Sequence, residues 1–303
     1  MMDSQFSFDG PRERGLVLVA TPIGNLEDIS TRALRVLGEA DVILAEDTRR
    51  TRQLLAHFQI SGSRLVSYHE HNRIQREPDV LDWLKEGKLV ALVTDAGMPG
   101  ISDPGADLVR LARNAGVPVT VVPGPSAALA ALVISGLPTD RFVFLGFLPR
   151  SGRAREEEIA RLAGYPETII LYEAPHRVIR TVRDLAQVLG NRRAAAVREL
   201  TKRYEQVVRG TLGELIGWLE GEEPKGEWVL IVEGAVSASN EHRIFGEGES
   251  SGEDDMNQWC EEVTRQVAQG VSVRDAIRET ARRHRLSRRA LYQAYLKRAE
   301  GNG

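Results

Sequence analysis

Three stretches of this 303-residue sequence group residues able to move a proton or hold a ligand. In Glu46-Asp47-Thr48-Arg49 two adjacent carboxylates precede a guanidinium, and in Glu199-Leu200-Thr201-Lys202 a carboxylate and an ammonium stand three residues apart. Carboxylates in a cleft accept protons, and an ammonium lowers the pKa of a hydroxyl beside it or holds a phosphate. Glu46, Asp47, Glu199 and Lys202 are therefore the candidate catalytic residues. Glu46, Asp47 and Arg49 also admit a second reading, a local ion pair capping the helix that starts there. The third stretch, Asp95-Ala96-Gly97-Met98-Pro99-Gly100, offers Gly97, Gly100 and Gly105, with Pro99 and Pro104 stiffening the loop. Bare backbone of this kind can lie close against a flat ligand. Its plainer reading is a tight strand-to-helix connection.

Each stretch follows an apolar run, and these runs predict the elements that hold the site. Strands are expected at 16–20, 42–45, 65–68, 89–94 and 117–122, with helices near 31–39, 49–58, 77–85 and 104–115 between them. The pattern is βαβα, and near-continuous Val, Leu and Ile in the strands implies a sheet covered on both faces. A second α/β unit is expected to follow, with strands at 142–147, 168–172, 194–198 and 228–233 and helices near 154–162, 176–189 and 212–219. The boundary falls at Pro123-Gly124-Pro125-Ser126, ahead of a helix of small residues at 127–135. This places one α/β domain at 15–123 and another at 124–236. Ligands of open α/β sheets bind beyond the carboxyl ends of the strands. Those ends here are polar and glycine-rich: Thr21-Pro22-Ile23-Gly24-Asn25-Leu26, Glu46 to Arg49, His69-Glu70-His71-Asn72, Asp95 to Gly100, and Tyr172-Glu173-Ala174-Pro175-His176-Arg177. A two-sided cleft between the domains follows. Asn25, in a turn, either caps backbone or touches substrate.

Composition narrows the function. A net charge of -3 with 42% hydrophobic residues describes an ordinary globular chain, so any nucleic-acid surface must be a local patch. No Walker A sequence is present, and no strand is followed by G-x-G-x-x-G, which argues against a nucleoside triphosphatase or a Rossmann dehydrogenase. The single Cys260 excludes an internal disulfide framework, and six scattered histidines give no ligand set for a structural metal. No run approaches the roughly 20 apolar residues of a membrane span. A cytoplasmic protein is expected.

From 237 to 255 the chain turns to Ser, Gly and acids, which reads as a flexible linker. Beyond it three short helices are expected at 256–269, 272–284 and 287–298, two of them begun by Ser272 and Ser287. Arg274, Arg278, Arg282, Arg283, Arg285, Arg288, Arg289, Lys297 and Arg298 make this module, 256–303, the basic part of the chain.

At these residues the chain resembles the tetrapyrrole-methylase-fold methyltransferases. The motifs that carry the resemblance, in order, are Thr21 to Leu26, Ala45 to Arg49, Asp95 to Gly105, Pro123 to Ser126, Gly146-Phe147-Leu148-Pro149, Tyr172 to Arg177, Glu199 to Lys202 and Gly226 to Gly234. It is most similar to the branch that methylates the ribose 2′-hydroxyl of a cytidine in small-subunit (16S) ribosomal RNA. The resemblance implies two α/β domains with S-adenosylmethionine in the cleft between them. Asp95, Ala96, Gly97, Pro99, Ile101, Ser126, Ala127, Tyr172 and Leu200 would line it. It further implies a homodimer and a C-terminal helix-turn-helix-like module. With RNA as substrate, Arg49, Arg177 and Lys202 at the cleft rim are candidates to grip its phosphates, the plainer reading being solvated strand-end charge, and Asn25 is a candidate substrate contact. Two other readings compete with RNA methylation: carbon methylation of a tetrapyrrole, and a non-catalytic ribosome-associated RNA-binding module.

Overall fold

The structure, a computed structural model, describes residues 14–101, 105–235, 253–284 and 288–300. Pro104, Arg285, Ser287 and the expected linker as far as residue 252 lie outside the described residues. The chain divides into two compact units, one ending at Ala235 and one beginning at Val236.

The first unit holds two five-stranded sheets. Strands β1 (Gly15–Val19), β2 (Val42–Ala45), β3 (Arg64–Ser67), β4 (Leu89–Val93) and β5 (Val119–Val122) form a wholly parallel sheet in the order β3-β2-β4-β1-β5. Helices α1 (Thr31–Glu39), α2 (Thr48–His57), α3 (Arg73–Lys85) and α4 (Gly105–Asn114) connect them. Every residue of the inner strands β1, β2 and β4 is buried. Their alternate side chains feed two cores, Leu16, Leu44 and Leu92 on one face and Val17, Ile43 and Ala91 on the other. Burying one such Leu or Ile stabilises the fold by roughly 1.5–3 kcal/mol. Helix α1 begins where Ser30 Oγ accepts the Ala33 N–H and buries Ala33, Val36 and Leu37, one face at helical spacing.

Helix α5 (Ala127–Ser135) starts at the Ser126 cap and stops at Gly136, whose φ of 75° is the left-handed turn that glycine adopts freely. The second sheet follows: β6 (Phe142–Phe147), α6 (Arg153–Leu162), β7 (Thr168–Glu173), α7 (Val178–Leu189), β8 (Arg193–Arg198), β9 (Gln206–Thr211), α8 (Leu212–Glu220) and β10 (Trp228–Val232). Its order is β6-β7-β10-β8-β9, and it departs from a second βαβα series in two ways. Only β6 and β7 are parallel, while β10 runs antiparallel to both its neighbours and β9 forms a hairpin with β8. Strand β9 was not expected at all. It is a half-buried edge strand whose only large apolar residues are Val207 and Val208, too short a run to signal a covered strand.

The second unit contains α9 (Glu253–Ala268), α10 (Val273–Arg283) and α11 (Arg288–Glu300) around Cys260, Val263, Ile277, Ala281 and Leu291. Ser272 caps α10, accepting the Asp275 N–H. The positive charge of this unit is partly neutralised from within. Acids of α9 pair with cations of the other helices, Glu262 with Arg283 and Glu261 with Arg298, and Glu262 also hydrogen-bonds the His284 ring at 2.7 Å. A linear count of charge overlooks these pairs because the partners lie on different helices. Tyr295 packs on the core, whereas Tyr292 is exposed. Among the described residues, no helix is long and apolar enough to cross a membrane.

Candidate active site

Loops from the two sheets meet within the first unit. The β1 loop and the β4 loop are tied by an isolated antiparallel bridge, with Thr21 and Gly97 exchanging both backbone hydrogen bonds at 3.0 Å. Gly97 sits at φ +82°, a conformation L side chains rarely adopt, which explains the glycine at the turn. Across the gap, the β8–β9 hairpin loop presses on the β1 loop: the Asn25 N–H donates to Thr201 Oγ1 at 3.0 Å. Gly24 is bare where they touch, since a Cβ there would lie 2.5 Å from Lys202 Cγ.

Between these loops lies a cavity of about 450 Å³. Of the nine residues expected to hold a cofactor, Asp95, Ala96, Gly97, Ile101, Ser126, Ala127, Tyr172 and Leu200 line it. Pro99 is buried and does not line it. Ile23, from the Thr21 to Leu26 strand end, and Phe147, Val197 and Val229 add apolar surface; Val197 lies inside β8, where a reading of strand ends does not reach. The N-terminus of α5 opens on this cavity through Ser126 and Ala127. Burial pushes the Tyr172 phenol up, partly offset by the Ala128 N–H, so it stays neutral, and its ring packs on Phe144 and Phe147. Asp95 is held by both sides of the β2 loop: its Oδ1 accepts the Asp47 N–H at 3.0 Å and its Oδ2 pairs with Arg50 at 3.1 Å.

A second cavity of about 410 Å³ adjoins the first, and Ile23, Arg50, Thr94, Asp95, Ala96 and Glu227 line both. Lys202 stands in it, its ammonium 3.0 Å from Glu199 Oε1 and 3.0 Å from Glu227 Oε2. Burial works against the Glu199 carboxylate, but the Glu227 N–H and Lys202 outweigh it and leave the carboxyl below its usual range. Burial likewise works against the Lys202 ammonium, and the two carboxylates raise it above its usual range. The Lys202 ammonium is thus held between two carboxyl groups. Glu227 escaped the search of strand ends because β10 is antiparallel, so its beginning, not its end, lies beside the ends of β7 and β8.

Other candidates are engaged elsewhere. Asp47 caps α2 through the Arg49 N–H at 2.8 Å and forms a two-pronged pair with the Arg49 guanidinium, at 3.1 and 2.7 Å. Those bonds hold its carboxyl far below the usual carboxylate range, which makes Asp47 a poor proton acceptor; the helix-capping reading is the one realised. Glu46 lines the first cavity. Asn25 also serves as a cap, its Oδ1 accepting the Glu27 N–H at 3.0 Å. Arg177 faces inward, paired with the fully buried Glu173 carboxylate at 3.1 Å and donating to the Leu148 carbonyl at 2.7 Å, so it braces the cavity wall and cannot grip a phosphate there. Glu173 Oε2 accepts from Thr181, and Thr181 accepts from the buried Arg155. Among the described residues no group of three or more His, Cys, Asp or Glu is placed to hold a metal ion.

A family profile described as tetrapyrrole (corrin/porphyrin) methylases matches residues 15–216. Such a profile match, over a cleft of this kind between two five-stranded sheets, defines the class: the chain belongs to the tetrapyrrole methylase family. Ribosomal RNA small subunit methyltransferase I of Bacillus subtilis (strain 168) is 42% identical over 302 residues, covering 97% of this chain and 99% of that protein. The protein of the same name from Halalkalibacterium halodurans is 44% identical over 295 residues, with the same coverage of 97% and 99%. Among solved structures, uroporphyrin-III C-methyltransferase from Thermus thermophilus, complexed with S-adenyl homocysteine, superposes with a TM-score of 0.52 at 23% identity. It covers 72% of this chain and 97% of that one.

Proposed function

We propose that the chain transfers a methyl group from S-adenosylmethionine to the ribose 2′-hydroxyl of a cytidine in small-subunit (16S) ribosomal RNA. The observation that carries this reading is the pair of adjoining cavities: one largely apolar, the other holding a lysine clasped by Glu227 of the shared wall. The name shared by the near-full-length relatives supports the RNA substrate, and the ligand of the Thermus thermophilus enzyme supports the donor.

The first cavity fits the donor by its chemistry. Ile23, Ile101, Leu200 and Val229 offer a flat base an apolar bed. The positive end of α5 at Ser126 and Ala127 suits a carboxylate. Asp95 suits a hydroxyl or an ammonium, and Ala96, Gly97 and Tyr172 complete the holding set. When bound, S-adenosylmethionine supplies a methyl group on a sulfonium.

The chain's own residues orient the hydroxyl and manage its proton. Lys202 lines the second cavity and pairs at 3.0 Å with Glu227, which lines both, and a positive charge there makes a nearby hydroxyl more acidic. Glu199 positions Lys202 and, being spoken for, does not itself take the proton. Glu227 also pairs with Lys202 through Oε2, but its side chain is 73% exposed and lines both cavities, so it and Glu46 on the donor side are the carboxylates left to receive it. Positioning supplies most of the acceleration. Arg49, with 84% of its side chain exposed, and the exposed Arg274 of the second unit are cations available to phosphates. The implied homodimer is supported by α5, which is apolar throughout yet exposes Leu129 and Val133.

The test is to incubate the protein with tritiated S-adenosylmethionine and small subunits from a strain lacking the activity, then map the labelled nucleotide. Label on a cytidine 2′-oxygen is expected. Label absent from RNA but present on a uroporphyrinogen would overturn the reading, as would bound cofactor with no transfer to either.

A further inference from the structure

The second cavity has a wall whose chemistry the methyl transfer does not require. Helix α2 turns Arg50, Gln53, Leu54 and His57 toward it, a spacing of three, four and seven residues that puts all four on one face. Arg50 is tied to Asp95 at the shared wall. Gln53 and His57 lie farther along the helix, are exposed, and make no side-chain hydrogen bond among the described residues. Opposite stand Pro22 and Leu26, which are apolar.

We propose that this cavity is a base-reading subsite: it takes one nucleotide turned out of the RNA stack, and the face of α2 reads its base. The inference rests on the RNA methylation reading and adds which residues select the nucleotide. With the ribose hydroxyl at the shared wall by Glu227, which Lys202 contacts, the second cavity is open to the attached base. A volume of about 410 Å³ holds a small ligand but not a helix, so the nucleotide enters alone. Unstacked bases are recognised by apolar contact on their faces and hydrogen bonds on their edges. Leu54 with Pro22 supplies the first, and the Gln53 amide, which both donates and accepts, supplies the second. His57, at the last residue of α2, is placed to meet the neighbouring base.

Three variants test this, Gln53→Ala, His57→Ala and Gln53→Trp, with initial rates measured against small-subunit concentration and S-adenosylhomocysteine affinity measured by calorimetry. Gln53 lies on the exposed side of α2, so its replacement spares the core. Gln53→Ala and His57→Ala are each expected to lower kcat/KM for subunits about tenfold, the loss of one good base contact. Gln53→Ala is further expected to narrow the preference between subunits carrying cytidine and uridine at the methylated position. Gln53→Trp fills the cavity and is expected to abolish transfer while cofactor affinity stays as in the wild type. A wild type that methylates RNA alongside Gln53 variants of unchanged rate and preference would overturn the subsite and leave the function standing. A wild type that labels no RNA would overturn both.

Discussion

Replacing Gly24 with alanine asks whether the contact between the β1 loop and the β8–β9 loop positions Lys202. A Cβ at Gly24 would lie 2.5 Å from Lys202 Cγ, 2.6 Å from Thr201 Oγ1 and 3.0 Å from the Leu200 carbonyl oxygen. Ordinary van der Waals contact begins near 3.4 Å, so Lys202 Cγ must retreat by roughly 0.9 Å, the difference between the two distances. Gly24 has no positive φ, and the new side chain strains the loop through contact alone. Overpacking of this kind costs about 1–3 kcal/mol of stability. A shift approaching 1 Å in a group that orients a reacting atom costs about 100-fold in rate. The expected outcome for Gly24→Ala is therefore a folded protein with a modestly lower Tm, cofactor affinity within about twofold of wild type, and kcat down about 100-fold. Gly38→Ala is the control: it lies in α1 with nothing within 4 Å of its Cβ, and should gain about 0.5–1 kcal/mol without altering activity. Thermal unfolding, calorimetry with S-adenosylhomocysteine and single-turnover methyl transfer to small subunits provide the readouts. A folded Gly24→Ala protein with wild-type kcat would refute the idea that this contact sets the position of Lys202.

Thr181→Val should cost about 2–3 kcal/mol in urea denaturation, because it leaves the buried Glu173 carboxylate and Arg155 without the hydroxyl that joins them; an unchanged midpoint would deny the network a role. The Glu199 carboxyl is lowered and the Lys202 ammonium raised. Glu199's contribution is present above the ordinary carboxylate pKa of about 4.3 and lost as pH falls through its lowered value, while that of Lys202 is present below about 10.4 and lost as pH rises through its raised value. The difference in unfolding free energy between wild type and Lys202→Met should accordingly be flat from about pH 6 to 9 and shrink on either side, and a slope within that window would contradict the assignment. Val133→Asp places a charge on the exposed apolar face of α5, where the residue is 71% exposed, and should convert the proposed dimer to monomer by light scattering without unfolding it; a wild-type monomer, or a dimer that persists in the variant, would refute this face as the interface.

Much of the fold is legible along the chain because its signals are local. The buried runs of β1, β2 and β4 and the serine cap of α1 each depend on neighbours within a few residues. One wall of the first cavity is equally legible, since glycines and prolines of the Asp95 to Gly100 loop announce a backbone surface whatever the chain does elsewhere. Legibility ends where partners are far apart in sequence. Arg177 looks like a free cation at a strand end until the burial of Glu173 claims it. Asp47 and Glu199 look alike as carboxylates, yet one caps a helix and the other clasps Lys202.

The residues themselves establish the alternation of strands and helices and the loops that can carry chemistry, because apolar periodicity and turn-forming side chains act over short range; the family is carried by the resemblance of the motifs. The meeting of Lys202 with Glu227, 25 residues on, and of Gly24 with Lys202 follows instead from strand direction and from the approach of the two sheets. Antiparallel β10 brings its first residues to the cleft, and no local pattern encodes strand direction. The hydrogen bonds that select it form only when distant segments pair.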